Sequence, residues 1–291
     1  MLKSLVESTT NLFNNILYNK KYVYQINYGS KSVQGLRDHM EDYKRAVRIN
    51  IPNIKTCYLI ILCDGHAGHR CAHFIVQLLP KLVEQKLKAL PSNYKNSLIK
   101  EYILNLMNNI DILFKQIKDE SGSTCICSLF IDNDLYISNV GDSRCIIGNT
   151  DNELLFETID HKPSEATELK RIENNGGKIM NIDVPRVYIN ENVNGLAMSR
   201  AIGDLSYKQG KNIVIADPDV TFRNIISTNE FIIMASDGLW DVVNNNEAIR
   251  FVNQYLNKIS LKQIAIKLTK LALQKGSTDN ITVIIVMIIP E

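Results

Sequence analysis

The chain has 291 residues, of which 45% are hydrophobic and 22% charged, so it can bury a substantial core as one large domain or two small ones. Its formal net charge is +2, from 33 Lys and Arg against 31 Asp and Glu. This balance gives no electrostatic reason to expect a nucleic acid or a membrane as a partner. The longest apolar run, residues 281–289, is too short to span a bilayer and is typical of a buried strand.

Six cysteines are scattered through apolar stretches, with no CxxC pair and no regular spacing. Such a pattern is not typical of a disulfide framework or of a zinc site. We therefore expect six buried free thiols in a reducing compartment, which favours a cytoplasmic or nuclear location.

Apolar residues in the first twenty positions recur at helical spacing, from Leu2 to Leu17, without the apolar core or the cleavage site of a targeting segment. This pattern predicts an N-terminal helix or extension over residues 1–21, with a targeting segment or a disordered tail as alternatives. Residues 22–291 are then the main domain. Because the sequence stops just after its last predicted strand, we expect no appended regulatory domain.

Short stretches rich in β-branched and aromatic residues predict strands in close succession. Their bounds are 22–28, 43–49, 56–63, 124–131, 135–140 and 144–148, followed by 220–223, 231–235 and 281–288. Short polar breaks such as 132–134 and 141–143 separate neighbouring strands. Breaks of this length favour antiparallel hairpins over parallel crossovers.

Apolar residues that return every three or four positions predict two long helices, at about 67–88 and 94–118. A shorter helix is predicted from Ser164 to Gly176 and Gly177, which can supply a left-handed C-cap. Ser260 and Gln263 fit a capping box for a helix that ends near Gly276. Antiparallel sheets flanked by helices are the natural way to pack these elements.

Two aspartates stand where an apolar strand ends and a glycine follows. Asp64 follows residues 58–63 and precedes Gly65, while Asp237 follows residues 231–236 and precedes Gly238. Burying a lone carboxylate is costly, so convergence of several carboxylates on hard divalent cations is one explanation. The other is that each Asp-Gly pair simply forms a turn, in which this dipeptide is common.

His66 lies two positions after Asp64, close enough to reach a ligand bound there. Three roles fit this position. The imidazole can hold the turn by a hydrogen bond, it can bind a metal in its neutral form, or it can give a proton to a leaving oxygen.

Taken together, eight segments in order resemble the metal-dependent protein phosphatase family, also called PPM or protein phosphatase 2C. They are QGLRDHMED at 34–42, CDGHAG at 63–68, SGST at 121–124, GDSR at 141–144, DHKP at 160–163, GLAMSRAIGD at 195–204, ASDGLWD at 235–241 and TDNITV at 278–283. The resemblance covers about residues 22–290. It implies an α+β fold, a four-layer α-β-β-α sandwich of two antiparallel sheets flanked by helix pairs, with a flap at about 162–199.

The resemblance also implies a metal site. In it, Asp64 bridges two ions, Asp237 and Asp279 complete one of them, and Glu41 with the carbonyl group of Gly65 serves the other. Hard oxygen donors of this kind suit Mg²⁺ or Mn²⁺ rather than zinc.

Further residues take supporting roles in the same resemblance. Asp42 orients the attacking water, and Asp160 with Asp241 helps to hold a weaker third ion. Arg37 binds the phosphate, and His66 protonates the leaving oxygen, so that the implied catalytic residues are His66, Arg37 and Asp42.

The implied activity is hydrolysis of phosphoserine and phosphothreonine in proteins by a water activated between two divalent metal ions. We expect the protein to act as a monomer on phosphorylated protein substrates. Two rivals stay open: a hydrolase of small phosphate esters, because metal ligands sense only the phosphate, and an inactive pseudophosphatase that binds a partner.

The flap departs from the family pattern. Many relatives carry an Arg-Val pair just before the LAxSR motif, whereas here the pair is Arg186 and Val187, followed by a polar stretch. Either Arg186 still reaches the cleft and binds substrate, or that contact is lost and Arg186 is a solvated loop residue. Among the other motif residues, we expect Asp142, Arg144, Arg200 and Asp204 to hydrogen-bond the loops that frame the site.

Overall fold

The computed structural model describes residues 24–91, 93–181, 184–189, 195–208, 211–225 and 229–290. The N-terminal helix or extension predicted for residues 1–21 lies outside these ranges and stays a prediction. Among the described residues, no helix is long and apolar enough to cross a membrane. All six cysteines are buried as free thiols, as their positions in apolar stretches predicted.

The strands form two large antiparallel sheets and two small ones. The strands are β1 (Tyr24–Val33), β2 (Tyr43–Arg48), β3 (Cys57–Cys63), β4 (Gly65–His66), β5 (Gly122–Ser123), β6 (Cys125–Ile131), β7 (Asp134–Val140), β8 (Arg144–Asn149), β9 (Leu154–Glu157), β10 (Lys178–Asn181), β11 (Pro185–Tyr188), β12 (Ile202–Gly203), β13 (Asp219–Asn224), β14 (Glu230–Ala235) and β15 (Ile281–Pro290). The first sheet has the order β1-β15-β14-β8-β9, and the second has the order β13-β7-β6-β3-β2. The small sheets have the orders β12-β5-β4 and β10-β11.

Helices cover the outer faces of both large sheets. They are α1 (Arg70–Lys88), α2 (Asn96–Lys115), α3 (Ala166–Asn174), α4 (Asp237–Trp240), α5 (Asn245–Tyr255) and α6 (Leu261–Gln274), with a 3₁₀ turn at Leu205–Tyr207. Helices α1 and α2 pack on the second sheet, and α5 and α6 pack on the first. The predicted four-layer α-β-β-α sandwich of two antiparallel sheets is therefore confirmed.

The central strands are buried on both faces, which explains their unbroken apolar runs. In β3, Ile60 and Leu62 lie in the core between the two sheets, while Leu59 and Ile61 pack in the core beneath the helices. Strands β14 and β15 alternate in the same way. Successive side chains of a strand point to opposite faces, so a strand between a sheet and a helix layer needs apolar residues at every position.

Several local predictions are confirmed. Ser260 and Gln263 form the capping box at the start of α6, and Gly176 has the left-handed φ of +78° expected after α3. The break at 132–134 joins β6 and β7 as an antiparallel hairpin.

The break at 141–143 was wrongly predicted to close a hairpin. Strand β7 pairs with β6 and β13 in the second sheet, whereas β8 pairs with β14 and β9 in the first. The turn therefore carries the chain from one sheet to the other. A short polar break looks the same in sequence whether it closes a hairpin or connects two sheets. Only the tertiary pairing of the flanking strands distinguishes the two.

The start of the flap is attached to the sandwich by a buried carboxylate. Glu168 in α3 is 2% exposed. It accepts hydrogen bonds from Arg171 at 2.5 Å, from the Ser199 hydroxyl at 2.6 Å and from Arg200 at 2.7 Å. Arg200 in turn bonds Asp219 at the start of β13. Burial alone would raise the pKa of Glu168, but the bonds from Arg200, Ser199 and Arg171 outweigh it and lower the pKa to about 2.

Glu168→Gln is expected to destabilise the folded protein by about 3 kcal/mol, because it leaves the largely buried Arg171 without a charged partner and removes one of the two carboxylates that pair with Arg200. The folded pKa of about 2 lies below the ordinary value of 4.5. The contribution is therefore present above about pH 4.5 and is lost as the pH falls toward 2. Urea unfolding at several pH values should show the difference between wild type and variant shrinking below pH 4.5. Glu173→Gln, on the exposed end of the same helix, is the matched control, and a pH-independent difference would contradict the assignment.

Candidate active site

A cleft of about 1360 Å³ lies where loops from the two large sheets meet. On the second sheet, Tyr43 pairs with Cys63, so the segment before β2 lies beside the segment after β3. On the first sheet, Ala235 pairs with Val283, so the segment after β14 lies beside the one before β15. Antiparallel pairing thus brings together four loops that are far apart in sequence.

Most of the predicted site residues line this cleft. They are Arg37, Glu41, Asp64, Gly65, His66, Arg186, Asp237, Asp241 and Asp279. Asp42 is not part of the lining. It is only 5% exposed, and one of its oxygens accepts a hydrogen bond from the Ser236 hydroxyl at 2.9 Å. Asp160 lies outside the lining as well.

Asn280 holds the loop before β2 against the loop before β15. Its amide nitrogen donates to the carbonyl oxygens of Gln34 and His39, at 2.8 and 2.9 Å. Its amide oxygen accepts from the backbone of Glu41 at 2.7 Å. These three bonds hold the backbone of Glu41 close to the neighbouring Asp279, so Asn280 orients the site.

The backbones of the two strand-end aspartates are also fixed. The Asp64 amide donates to the Thr124 hydroxyl at 3.0 Å, and the Thr124 amide donates back to the Asp64 carbonyl at 2.9 Å. Beside Asp237, a Cβ on Gly238 would lie 2.2 Å from the Asn280 carbonyl oxygen. Only glycine permits this approach, which explains the Asp-Gly pair at this turn.

Burial, and then mutual repulsion, raise the pKa values of the carboxylates at the cleft. Burial raises the pKa of Asp64 well above its ordinary value, and repulsion from Asp42 and Asp237 adds to it. Burial also raises the pKa of Asp237, with further repulsion from Asp142 and Asp241. For Asp42, burial is again the main cause, and its pKa rises to about 6. Such a cluster is stable in its ionised form only with positive charge among the carboxylates.

The donor chemistry fits a hard divalent cation. Asp42 Oδ1, Asp142 Oδ1 and His66 Nδ1 are buried polar atoms with no hydrogen-bond partner. Unpaired buried oxygens are unusual and suit a metal or its water ligands. Within the described ranges, no three acidic, histidine or cysteine side chains could together hold an ion as they stand. Backbone carbonyl groups and water would complete the coordination of an ion held by fewer side chains.

Arg37 forms an ion pair within the cleft. Arg37 Nη2 lies 2.6 Å from Asp279 Oδ2. The residue predicted to bind phosphate is therefore paired with a residue predicted to bind a metal ion. Both side chains are partly exposed, with 62% and 32% of their surfaces accessible. An exposed ion pair contributes little stability, on the order of 0–1 kcal/mol, and is therefore easily exchanged.

The contacts of Asp160 and Asp142 differ from the roles predicted for them, which were to help hold a third ion and to bond the loops around the site. Asp160 forms a bidentate pair with Arg144, at 3.0 and 2.7 Å, which occupies both of its oxygens. Asp142 is fully buried, its Oδ2 lies 2.5 Å from Lys162 Nζ, and its Oδ1 has no partner. Burial raises the pKa of Asp64, Asp237 and Asp241, and repulsion from Asp142 adds to this rise for all three. Asp142 belongs to the GDSR motif at 141–144, so the motif pointed to this residue. The sequence analysis, however, assigned Asp142 only to the loops that frame the site.

His66 is paired with Asp204, a partner that the sequence analysis did not predict. Its Nε2 lies 2.8 and 2.9 Å from the two carboxylate oxygens of Asp204. Burial alone would lower the pKa of the imidazole, but the charge and hydrogen bond of Asp204 outweigh it and raise the pKa. The sequence analysis predicted only that Asp204 hydrogen-bonds a loop framing the site, and it did not connect Asp204 to His66.

Comparisons with known proteins agree with this architecture. The family model described as Protein phosphatase 2C matches residues 26–281. Protein phosphatase 1L of Bos taurus is 36% identical over 264 residues, which are 88% of this chain and 70% of that protein. Probable protein phosphatase 2C 59 of Oryza sativa subsp. japonica is 35% identical over 274 residues, 92% of this chain and 77% of the relative.

Solved structures show the same fold. The serine-threonine phosphatase 2C from Toxoplasma gondii superposes with a TM-score of 0.75 at 23% identity, over 90% of this chain and 95% of that one. A C. elegans sex determining protein also gives a TM-score of 0.75, at 22% identity, over 90% of this chain and 64% of its own. From the family match over most of the sequence and the identity to these relatives, the chain belongs to the protein phosphatase 2C family, whose general activity is metal-dependent dephosphorylation of serine and threonine.

Proposed function

We propose that this chain hydrolyses phosphoserine and phosphothreonine in proteins with two divalent ions, Mg²⁺ or Mn²⁺. The observation that supports this most strongly is the convergence of Glu41, Asp64, Asp237 and Asp279 from two sheets on one cleft. Family membership and the unpaired buried oxygens support the same conclusion.

The ions, when bound, lower the pKa of a water and offset negative charge on the phosphate. Arg37 is placed in the cleft to bind phosphate oxygens once it leaves Asp279. Asp42, held by Ser236, keeps one oxygen free to orient the attacking water. In the reaction, water adds its oxygen to phosphorus, the bond from phosphorus to the serine or threonine oxygen breaks, and His66 gives that oxygen a proton.

A third ion, if one binds, is better served by Asp142 than by Asp160. Both oxygens of Asp160 are bonded to Arg144, whereas Asp142 keeps one oxygen unpaired beside the carboxylates of the cleft. We therefore propose Asp142 with Asp241 for this role.

The activity is tested by incubating purified protein with a phosphoserine peptide and with p-nitrophenyl phosphate, in Mn²⁺, in Mg²⁺ and in EDTA. Turnover of the peptide that requires Mn²⁺ or Mg²⁺ is expected. Efficient turnover of small esters without peptide turnover would indicate the small-ester hydrolase. No turnover under any condition would indicate the pseudophosphatase, and turnover in EDTA would contradict the metal assignment.

Arg186 is a candidate for binding the peptide around the phosphate. It lies in β11 of the flap, lines the cleft, and donates a hydrogen bond to the Gly195 carbonyl at 3.0 Å. Its position in the lining of the cleft supports the first of the two sequence-based alternatives, in which Arg186 reaches the cleft and binds substrate.

Arg186→Ala should raise the KM for phosphopeptides roughly 10-fold, the effect of losing about 1.4 kcal/mol, and leave p-nitrophenyl phosphate nearly unchanged, because only binding remote from phosphorus is removed. Parallel KM measurements decide this. Lys178→Ala, on the partner strand β10, is the control for charge on the flap. An unchanged KM for the peptide would overturn the role of Arg186.

A further inference from the structure

The contact between His66 and Asp204 is built into the fold. Asp204 is 4% exposed, and its two oxygens lie 2.8 and 2.9 Å from His66 Nε2. The other ring nitrogen, Nδ1, is buried without a hydrogen-bond partner. Since His66 lines the cleft and Asp204 does as well, this pair lies at the site where phosphate esters are proposed to react.

A small sheet of three two-residue strands brings the pair together, although the two residues are 138 positions apart in sequence. In the small sheet β12-β5-β4, Gly122 of the middle strand lies opposite both His66 and Gly203. Asp204 follows Gly203 directly. The register of this sheet therefore sets the two side chains on either side of Gly122.

Gly122 is the residue that allows the contact. A Cβ at this position would lie 2.2 Å from Asp204 Oδ2 and 2.3 Å from His66 Nε2. Real Cβ atoms do not approach other atoms this closely, so any side chain here must separate the imidazole from the carboxylate. The glycine of the SGST motif thus has a specific steric function beside the cleft.

The backbone that carries Asp204 is fixed independently of His66. The Gly203 amide donates to Asp111 at 2.8 Å, and the Asp204 amide donates to the Ser121 carbonyl at 3.3 Å. Asp204 has a left-handed φ of +52°, a conformation that costs free energy and persists where the surroundings impose it. Because these bonds fix the backbone of Asp204, its carboxylate can hold the His66 ring in place.

We propose that Asp204 is a positioning residue for His66, and that the absence of a side chain at Gly122 is required for this role. The carboxylate accepts a hydrogen bond from Nε2–H, which holds the ring in place and leaves Nδ1 as the ring nitrogen without a partner. The hydrogen bond made by one ring nitrogen determines which nitrogen is available for chemistry, as in carboxylate–imidazole pairs of other hydrolases. This inference rests on the proposed role of His66 as proton donor to the leaving oxygen.

Two variants test the inference by kinetics. Asp204→Asn and Gly122→Ala should each lower kcat on a phosphoserine peptide by roughly 10- to 100-fold, within the range of general-acid catalysis. KM and the Mn²⁺ concentration for half-activation should stay within about twofold. On p-nitrophenyl phosphate, whose leaving oxygen needs little protonation, the loss of kcat should be several-fold smaller. Asp151→Asn is the control, because this aspartate is exposed in the turn between β8 and β9, away from the cleft and from His66.

A double-variant cycle makes the test specific. If Asp204 acts through His66, then Asp204→Asn should cost little in a protein that already carries His66→Gln. Long-range proton–nitrogen NMR adds a readout that does not depend on turnover. The His66 ring should show a protonated Nε2 in the wild type and lose that fixed tautomer in Asp204→Asn, while Asp151→Asn keeps it.

The outcomes separate this inference from the proposed function. Wild-type kcat in Asp204→Asn, or an equal loss on both substrates, would overturn the inference while leaving the phosphatase activity standing. Additive losses in the double variant would overturn it as well, since Asp204 would then act on something other than His66. If His66→Gln itself shows no dependence on the leaving group, the proton-donor role fails, and the inference fails with it.

Discussion

Asp64→Asn and Asp237→Asn are each expected to lower kcat/KM on a phosphopeptide by at least about 100-fold while the protein stays folded. Both side chains line the cleft, and both are surrounded by other carboxylates. An amide is a poorer ligand for a hard cation than a carboxylate. Loss of a residue that only supports a metal ligand costs about 10- to 100-fold, so loss of a ligand should cost no less.

Thermal unfolding provides a second measurement that does not depend on turnover. Without divalent ions, both variants should melt at a higher temperature than the wild type, because each removes a buried charge that repels its neighbours. With Mn²⁺ present, the wild type should gain stability by binding, and the variants should gain much less. The two effects have opposite signs, so a general loss of folding cannot imitate them.

The matched control for both variants is Asp151→Asn. This aspartate lies exposed in the turn between β8 and β9, away from the cleft. It should keep wild-type activity and the full response to Mn²⁺. Near wild-type kcat in Asp64→Asn or Asp237→Asn at saturating Mn²⁺ would show that the metal assignment is wrong.

The fold was predictable where one strand or helix carries its own signal. The apolar run 231–235 predicted β14 because both of its faces are buried, between the second sheet and the helices. The two-residue strands β4, β5 and β12 were missed, because a period of two cannot be recognised in two residues. The turn at 141–143 was misassigned, since its sequence does not reveal that the flanking strands belong to different sheets.

Some residues of the candidate site could likewise be predicted from local sequence features, and others could not. Asp64 and Asp237 stand out from residues alone, because each ends a buried strand at a glycine. Glu41, Asp279 and Asp241 were identified only by resemblance to the family, and their convergence on the cleft depends on strand pairing across the molecule.

The roles of individual residues within the motifs were harder to predict. Asp142 and Asp160 are both aspartates in short polar motifs, and only the bidentate pair with Arg144 shows that Asp160 is already bonded. The contact of His66 with Asp204 joins positions 138 apart. No local pattern predicts it, since it arises from the register of the small sheet around Gly122.

His66 is the residue on which the leaving-group chemistry depends. It lines the cleft two positions after Asp64, and its pKa is raised by the charge and hydrogen bond of Asp204 against the effect of burial. The glutamine side chain is similar in length to imidazole but cannot donate a proton as an acid. His66→Gln is therefore expected to lower kcat on a phosphoserine peptide roughly 100-fold, since general-acid catalysis contributes about 10²–10⁴.

The dependence on the leaving group distinguishes this role from the others that the sequence left open. An alkoxide such as that of serine needs a proton as the bond to phosphorus breaks, whereas p-nitrophenolate leaves without one. The loss on p-nitrophenyl phosphate should therefore be several-fold smaller than the loss on the peptide. His73→Gln, on the exposed face of α1, should leave both substrates unaffected. An equal loss of kcat on both substrates would instead assign His66 to binding the metal or to holding the turn after β3, because either role acts on the phosphate and not on the group that leaves it.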